Sequence, residues 1–262
     1  MKYVILIPAR MHSSRLPEKP MADIEGLPMV VRVALRGREA GAERVVVATD
    51  HPDIEAVCRA HGVEVVMTKD SHPTGTDRLA EAVTLLGLAD DEIVVNLQGD
   101  EPLMPVDVMQ RVAELLDAHP DWAMTTAAHT LGSVEEFLNP NVVKVTTDHT
   151  GRALTFSRAP IPWPRDHFRK TRASLPEGFT ALHHLGLYAY RVSFLKAFPT
   201  LPQAPIEKFE SLEQLRALYY GYEIGVLPLD AALPAGVDTE EDLERVRRVF
   251  RGEQEHRKEA AR

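Results

Sequence analysis

One cysteine, Cys58, stands in a chain of 262 residues. No internal disulfide can form, and no cysteine cluster is available to a metal. The sequence contains neither G-x-x-x-x-G-K-[ST] nor G-x-G-x-x-G. Those absences exclude the phosphate loop of P-loop kinases and the glycine fingerprint of NAD enzymes. No apolar run reaches the length of a membrane span, and the first, Val4 to Ile7, leads into charge rather than a cleavage site. A cytoplasmic protein with no membrane partner is expected. Basic charge is also scarce: 30 Lys and Arg face 39 Asp and Glu, a net charge of −9. Nucleic-acid binding wants a basic face and is disfavoured. Internal repeats and low-complexity tracts are missing. Cys58 falls in a helical stretch and reads as core filler rather than a nucleophile.

Against that acidic background, the first twenty residues are an exception. The run Val4-Ile5-Leu6-Ile7 has the character of a strand covered on both faces. It opens into a proline-stiffened loop carrying Arg10, Ser14, Arg15 and Lys19. Three cations in one short loop repel each other, and a polyphosphate ligand gives them a common partner; pairing with the acidic surface is the bland alternative.

Strands are expected near 3–8, 44–48, 63–67 and 93–97, alternating with helices near 28–40, 52–61, 76–87 and 105–118. Pro28, Pro52 and Pro105 suit first helical turns, and Gly41 and Gly62 suit left-handed caps. Such alternation implies an α/β fold with a mostly parallel sheet flanked by helices. The second half is less regular, with strands near 122–128, 142–147, 152–157, 184–190 and 224–228 and helices near 206–220 and 239–252. The chain reads as one domain over 1–252 with an excursion about 158–205 and a frayed tail over 253–262. The proline-bearing stretch 160–181 within that excursion has the length of a loop that serves a site or a subunit contact.

Three further segments carry chemistry. In Val95-Asn96-Leu97-Gln98-Gly99-Asp100-Glu101-Pro102 an apolar strand ends in an acidic pair. Ligands of open parallel sheets bind at the carboxyl ends of strands, where Asp100 suits Mg²⁺ and equally suits a helix cap. Asp238 opens a D-x-x-E pattern, which fits a cap as well as a second metal carboxylate. The turn Thr74-Gly75-Thr76-Asp77-Arg78 offers amides and a hydroxyl to a nucleotide, or a well-capped helix start.

Taken in order, IPAR, SSRLP-x-KP, VVVATDHP, TGTDRLAEA, VNLQGDEP, NPNVVKV, FSRAPIPWPRD, HHLGLYAYR, ESLEQLR and GVDTEEDLERVR resemble the 3-deoxy-manno-octulosonate cytidylyltransferase (CMP-Kdo synthetase) family over residues 3 to 250. The resemblance implies a Rossmann-like nucleotidyltransferase fold, a homodimer and dependence on Mg²⁺. It also implies CMP transfer from CTP to Kdo for lipopolysaccharide synthesis; an enzyme for a related acid sugar such as 8-amino-Kdo is the alternative. By the same resemblance Arg10, Ser14, Arg15 and Lys19 hold the triphosphate, Thr76 and Arg78 help seat the nucleotide, and Asp100 and Asp238 hold the metal. Arg10, Arg15, Lys19 and Asp100 are the expected catalytic set. Gln98, Arg158, His184, Tyr188, Glu213 and Gln214 fall on the sugar side. Glu18 replaces a usual glycine, Asp77 a commoner Glu, and His183 a common Arg.

Overall fold

A computed structural model describes residues 1–12 and 15–260, with side chains up to residue 252; Ser14 therefore lies outside the described residues. The strands are β1 (Tyr3–Ala9), β2 (Asp23–Ile24), β3 (Leu27–Pro28), β4 (Arg44–Thr49), β5 (Glu64–Met67), β6 (Ile93–Asn96), β7 (Met124–Thr130), β8 (Lys144–Thr147), β9 (Ala153–Ser157), β10 (Leu182–Arg191) and β11 (Ile224–Leu229). The helices are α1 (Met29–Glu39), α2 (Pro52–Ala60), α3 (Gly75–Leu85), α4 (Val106–Asp117), α5 (Val134–Leu138), α6 (Arg165–Phe168), α7 (Val192–Ala197), α8 (Pro205–Glu210), α9 (Gln214–Tyr219) and α10 (Glu240–Ala260).

Nine strands form one mixed sheet with the order β11-β7-β10-β6-β1-β4-β5, to which β8 and β9 are joined through β10. β6, β1, β4 and β5 run parallel, whereas β10 is antiparallel to both β6 and β7. From β1 the chain moves outward to β4 and β5, then crosses to β6 on the other side. That reversal leaves a crevice beyond the carboxyl ends of β1 and β6, where open α/β sheets bind their ligands.

Alternation along β1 divides the core. Ile5 and Ile7 pack with Val45, Val47 and the buried residues of α1, α2 and α4. Val4 and Leu6 face the other way, with Val46, Val94 and the apolar stripes of α3 and α7. Each fully buried Val, Leu, Ile or Met contributes about 1.5–3 kcal/mol over its exposed state, so both layers clamp the sheet that carries the crevice. Cys58 is fully buried in the first layer, and burial pushes its thiol up to about 11, an inert filler as expected.

Three expectations are corrected. The single helix over 206–220 is two helices, α8 and α9, broken at Ser211, whose φ of 50° is left-handed. The excursion is confined to 158–181, because residues 182–191 return as the central strand β10. The tail is helical rather than frayed as far as Ala260; Glu, Gln, Arg, Lys and Ala propagate a helix, and no proline interrupts them.

Candidate active site

β1 ends in Pro8-Ala9-Arg10 and β6 leads into Gln98-Gly99-Asp100, so both chain segments project into the crevice at the switch point. They touch: a Cβ at Gly99 would lie 2.9 Å from the Pro8 carbonyl oxygen. No side chain fits there, and the absence of one lets the Asp100 loop rest against the cationic loop. Glu18 has a φ of 51°. Glycine takes that conformation without strain, which is the physical sense of the glycine usual at this position in the resembling family.

The two carboxylates meet although 138 positions separate them in sequence. Val237 N–H donates to the Asp100 carbonyl oxygen at 2.8 Å, and Val237 is fully buried. This staple brings Asp238 beside Asp100. The capping role falls to its neighbours: Thr239 Oγ1 accepts from Asp242 N–H at 3.2 Å, while Asp242 Oδ2 accepts from the N–H groups of Asp238 and Thr239. Asp238 is thereby left with its carboxylate turned to the crevice.

Lys19 joins the pair. Its Nζ donates to Asp100 Oδ2 at 2.6 Å, Asp238 Oδ1 at 3.1 Å and the Val237 carbonyl oxygen at 3.0 Å. Burial pulls the Lys19 pKa down, but the bonds to Asp100 and Asp238 outweigh it and the net shift is upward. Arg15 lies 3.0 Å from Asp238 Oδ2 and is mostly exposed. Arg10 donates to the carbonyl oxygens of His72 (2.8 Å) and Thr74 (3.1 Å), tying the cationic loop to the start of α3. Arg10, Arg15, Lys19, Gln98, Asp100 and Asp238 all line one cleft of about 420 Å³.

A second cavity, about 190 Å³, opens from the same place, since Gly75 and Gln98 line both. Thr76, Tyr188, Glu213 and Gln214 form its walls. Thr76 donates to Glu213, whose carboxyl is raised by burial. Thr76 thus belongs to the second cavity rather than to the cation-rich cleft.

Three expected contacts sit elsewhere. Arg78 has a side-chain exposure of 0% and donates to Asp50 Oδ2 at 2.6 Å and to Thr68 Oγ1. It cannot reach a ligand in this conformation; it ties α3 to the ends of β4 and β5. Arg158 donates to the carbonyl oxygens of Pro140, Glu210 and Ser211, bracing the α8–α9 break instead of lining the cavity. His184 is buried behind Tyr188, 5.5 Å between ring centroids, and shares a hydrogen bond with Thr126. Burial pushes its imidazole down to about 3, so it is neutral.

Glu101 is a structural residue with a measurable signature. Its Oε2 is buried without a partner, and burial, then the charge of Asp100, push its carboxyl up to about 8. Between its unfolded value near 4.5 and 8, the folded protein retains a proton that the unfolded chain has lost. Stability therefore falls as pH rises through that window and levels off above it. Glu101→Gln is expected to flatten this slope in metal-free thermal melts from pH 4 to 9, about the range the shift spans. Parallel curves for variant and wild type would remove Glu101 as its source.

Sequence reasoning missed Asp50, Thr239 with Asp242, and Asn96. Two had a local sign: Asn96 is a polar residue closing the apolar strand Ile93-Val94-Val95-Asn96, and Thr239-Glu240-Glu241-Asp242 has the spacing of a capping box.

Comparison with known proteins supplies what geometry alone does not. A family model described as Cytidylyltransferase matches residues 4–224. Proteins named 3-deoxy-manno-octulosonate cytidylyltransferase are similar throughout: that of Herminiimonas arsenicoxydans is 53% identical over 95% of this chain and 99% of its own length. That of Neisseria gonorrhoeae is 53% identical over 95% and 98%, and that of Leptothrix cholodnii 55% over 95% and 91%. A solved CMP:2-keto-3-deoxy-manno-octonic acid synthetase complexed with CTP superimposes with a TM-score of 0.86 at 39% identity, covering 97% of this chain and all of that one. A cytidylyltransferase from Leptospira borgpetersenii shares the fold at 17% identity and a TM-score of 0.57. Agreement at more than half identity along 95% of its length, on the same fold, leaves a single assignment: the chain belongs to the 3-deoxy-manno-octulosonate cytidylyltransferase family.

Proposed function

We propose that this chain transfers the cytidylyl group of CTP to the anomeric hydroxyl of Kdo, giving CMP-Kdo and pyrophosphate. The observation that carries this reading is the pair of cavities joined at Gly75 and Gln98, one lined with cations and carboxylates and the other with hydroxyl, carboxyl and amide groups. A triphosphate fits the first and a polyhydroxylated acid the second, so the α-phosphorus and the attacking hydroxyl meet at the junction. The sugar oxygen forms the new P–O bond, the α–β bridging bond breaks, and the hydroxyl proton passes to solvent. Positioning and charge neutralisation supply the catalysis: Arg10, Arg15 and Lys19 bind the leaving pyrophosphate, and Gln98 orients the sugar beside it.

Asp100 and Asp238 fit Mg²⁺. Both are hard oxygen donors that already share one cation, the Lys19 ammonium. Among the described residues no third Asp, Glu, His or Cys joins them, as expected for an ion that keeps waters and substrate phosphates as its other ligands. Bound there, Mg²⁺ supplies Lewis-acid polarisation of the phosphoryl group. The reading extends to a cytoplasmic enzyme of lipopolysaccharide synthesis that works as a homodimer. Exposed apolar side chains, among them Phe209 at 88% and Tyr219 at 56%, offer a second copy surface to bury.

Pyrophosphate release with CTP and Mg²⁺ tests the proposal, comparing Kdo, N-acetylneuraminate and no sugar. Release that requires Kdo and stops with EDTA is expected. CTP binding without release from any sugar overturns it in favour of a nucleotide sensor.

A further inference from the structure

Among the described residues, buried polar side-chain atoms without a hydrogen-bond partner include Asn96 Oδ1 and Gln214 Nε2. Both residues are more than nine-tenths buried, at 3% and 7% exposure, and both line the smaller cavity. Folded proteins satisfy the great majority of such atoms, and each exception calls for a physical reason. One unsatisfied acceptor and one unsatisfied donor on residues that line the same cavity match a hydroxyl-bearing ligand, because a hydroxyl both gives and accepts a hydrogen bond.

Asn96 is held firmly enough to select among ligands. It pairs in register with Leu6 on β1 and Tyr188 on β10, in the middle of the sheet. The Tyr190 hydroxyl is hydrogen-bonded to Thr76 and Asn96, and Tyr190 stacks on Tyr188 with 5.6 Å between ring centroids. The side chain therefore presents its carbonyl oxygen from a fixed position. Gln98, which lines both cavities, stands two residues further along the chain, about 6–7 Å at strand spacing. Whatever meets Asn96 is thus set back from the junction where the cytidylyl group is transferred.

We propose that Asn96 is a substrate-contact residue: its Oδ1 accepts a hydrogen bond from a hydroxyl of the acid sugar on the side away from the reacting carbon, and Gln214 Nε2 donates into the same region. This rests on the cytidylyltransferase reading above and adds to it a residue that discriminates among acid sugars. An analogue lacking that hydroxyl leaves the buried carbonyl unpaired again, which the enzyme reads as a loss of specificity constant.

The test pairs wild type, Asn96→Ala and Asn96→Ser with Kdo and a series of Kdo analogues, each missing one hydroxyl other than the reacting one. Sugar kcat/KM and CTP KM are measured together. In wild type one analogue is expected to lose about 10- to 100-fold in kcat/KM, the range for an orphaned buried polar group. In Asn96→Ala that penalty should shrink to within about threefold, with CTP KM within about twofold, and Asn96→Ser should fall between. A merely structural asparagine would lower turnover with every sugar alike. Equal penalties in wild type and both variants overturn the proposal, as does loss of CTP binding in both variants, which would make Asn96 a packing residue of β6. Failure of wild type to use Kdo at all would sink the cytidylyltransferase reading, a different and separable result.

Discussion

Asp100→Ala is expected to lower Kdo-dependent pyrophosphate release about a thousandfold while the protein still melts cooperatively within a few degrees of wild type. The kinetic loss follows from the Mg²⁺ role proposed for Asp100. It is one of two carboxylates facing the cation-rich cleft, and charge stabilisation at a phosphoryl group by a bound divalent ion contributes several kcal/mol, each ~1.4 kcal/mol being a factor of ten in rate. The small structural effect follows from the same geometry. Asp100 is 29% exposed at the side chain, and its loss leaves Lys19 still bonded to Asp238 Oδ1 and the Val237 carbonyl oxygen. The staple from Val237 N–H runs to the Asp100 backbone, which alanine keeps. Asp107→Ala, on the exposed first turn of α4, is the control and should change neither property. Titration of Mg²⁺ by calorimetry in the presence of CTP gives a second readout, and weakened binding is expected only for the Asp100 variant. Near-normal turnover would remove Asp100 from the metal site.

What the sequence discloses of this site is each half of a contact, seldom the contact itself. The runs Val4–Ile7, Val45–Ala48 and Ile93–Val95 announce buried strands because nothing polar interrupts them, and their parallel pairing follows from the helices between. β10 was readable as a strand but not as the antiparallel centre between β6 and β7, since its partners lie more than ninety residues away on β6 and more than fifty away on β7, with no local mark. The β2–β3 hairpin escaped notice although Glu25 and Gly26, both at positive φ, make the turn that such a hairpin prefers. At the site, Lys19, Asp100 and Asp238 were each visible as charge in a loop, yet the Val237 staple and the Lys19 hydrogen bonds that unite them leave no mark in the sequence. Arg10 in the proline-stiffened loop and Arg78 in the threonine-rich turn both read as nucleotide ligands in the sequence. Burial alone separates them: one lines the cleft and the other is sealed beneath it.

That distinction predicts the second large effect. Asp50→Ala is expected to destabilise the fold by about 3–5 kcal/mol, the usual consequence of stranding one partner of a buried ion pair. For a chain of this size that is a fall in melting temperature of roughly 6–20 °C. The Arg78 guanidinium would keep only Thr68 as a side-chain partner while remaining at 0% exposure, with its Nε already unpartnered. Removing both charges is different in kind: Asp50→Ala combined with Arg78→Met replaces a pair by apolar volume, and part of the loss should return. The double variant also decides what Arg78 does for the nucleotide. The Arg78 N–H bonds the Thr74 carbonyl oxygen, the same atom that Arg10 grips from the cationic loop. If Arg78 acts by holding that turn, CTP KM rises in Asp50→Ala and recovers with the stability of the double variant. If Arg78 instead touched CTP, Arg78→Met would raise CTP KM by itself, and adding Asp50→Ala would restore nothing. Recovery of both quantities together is the expected result, because a side chain sealed under α3 can influence the nucleotide only through the backbone it positions.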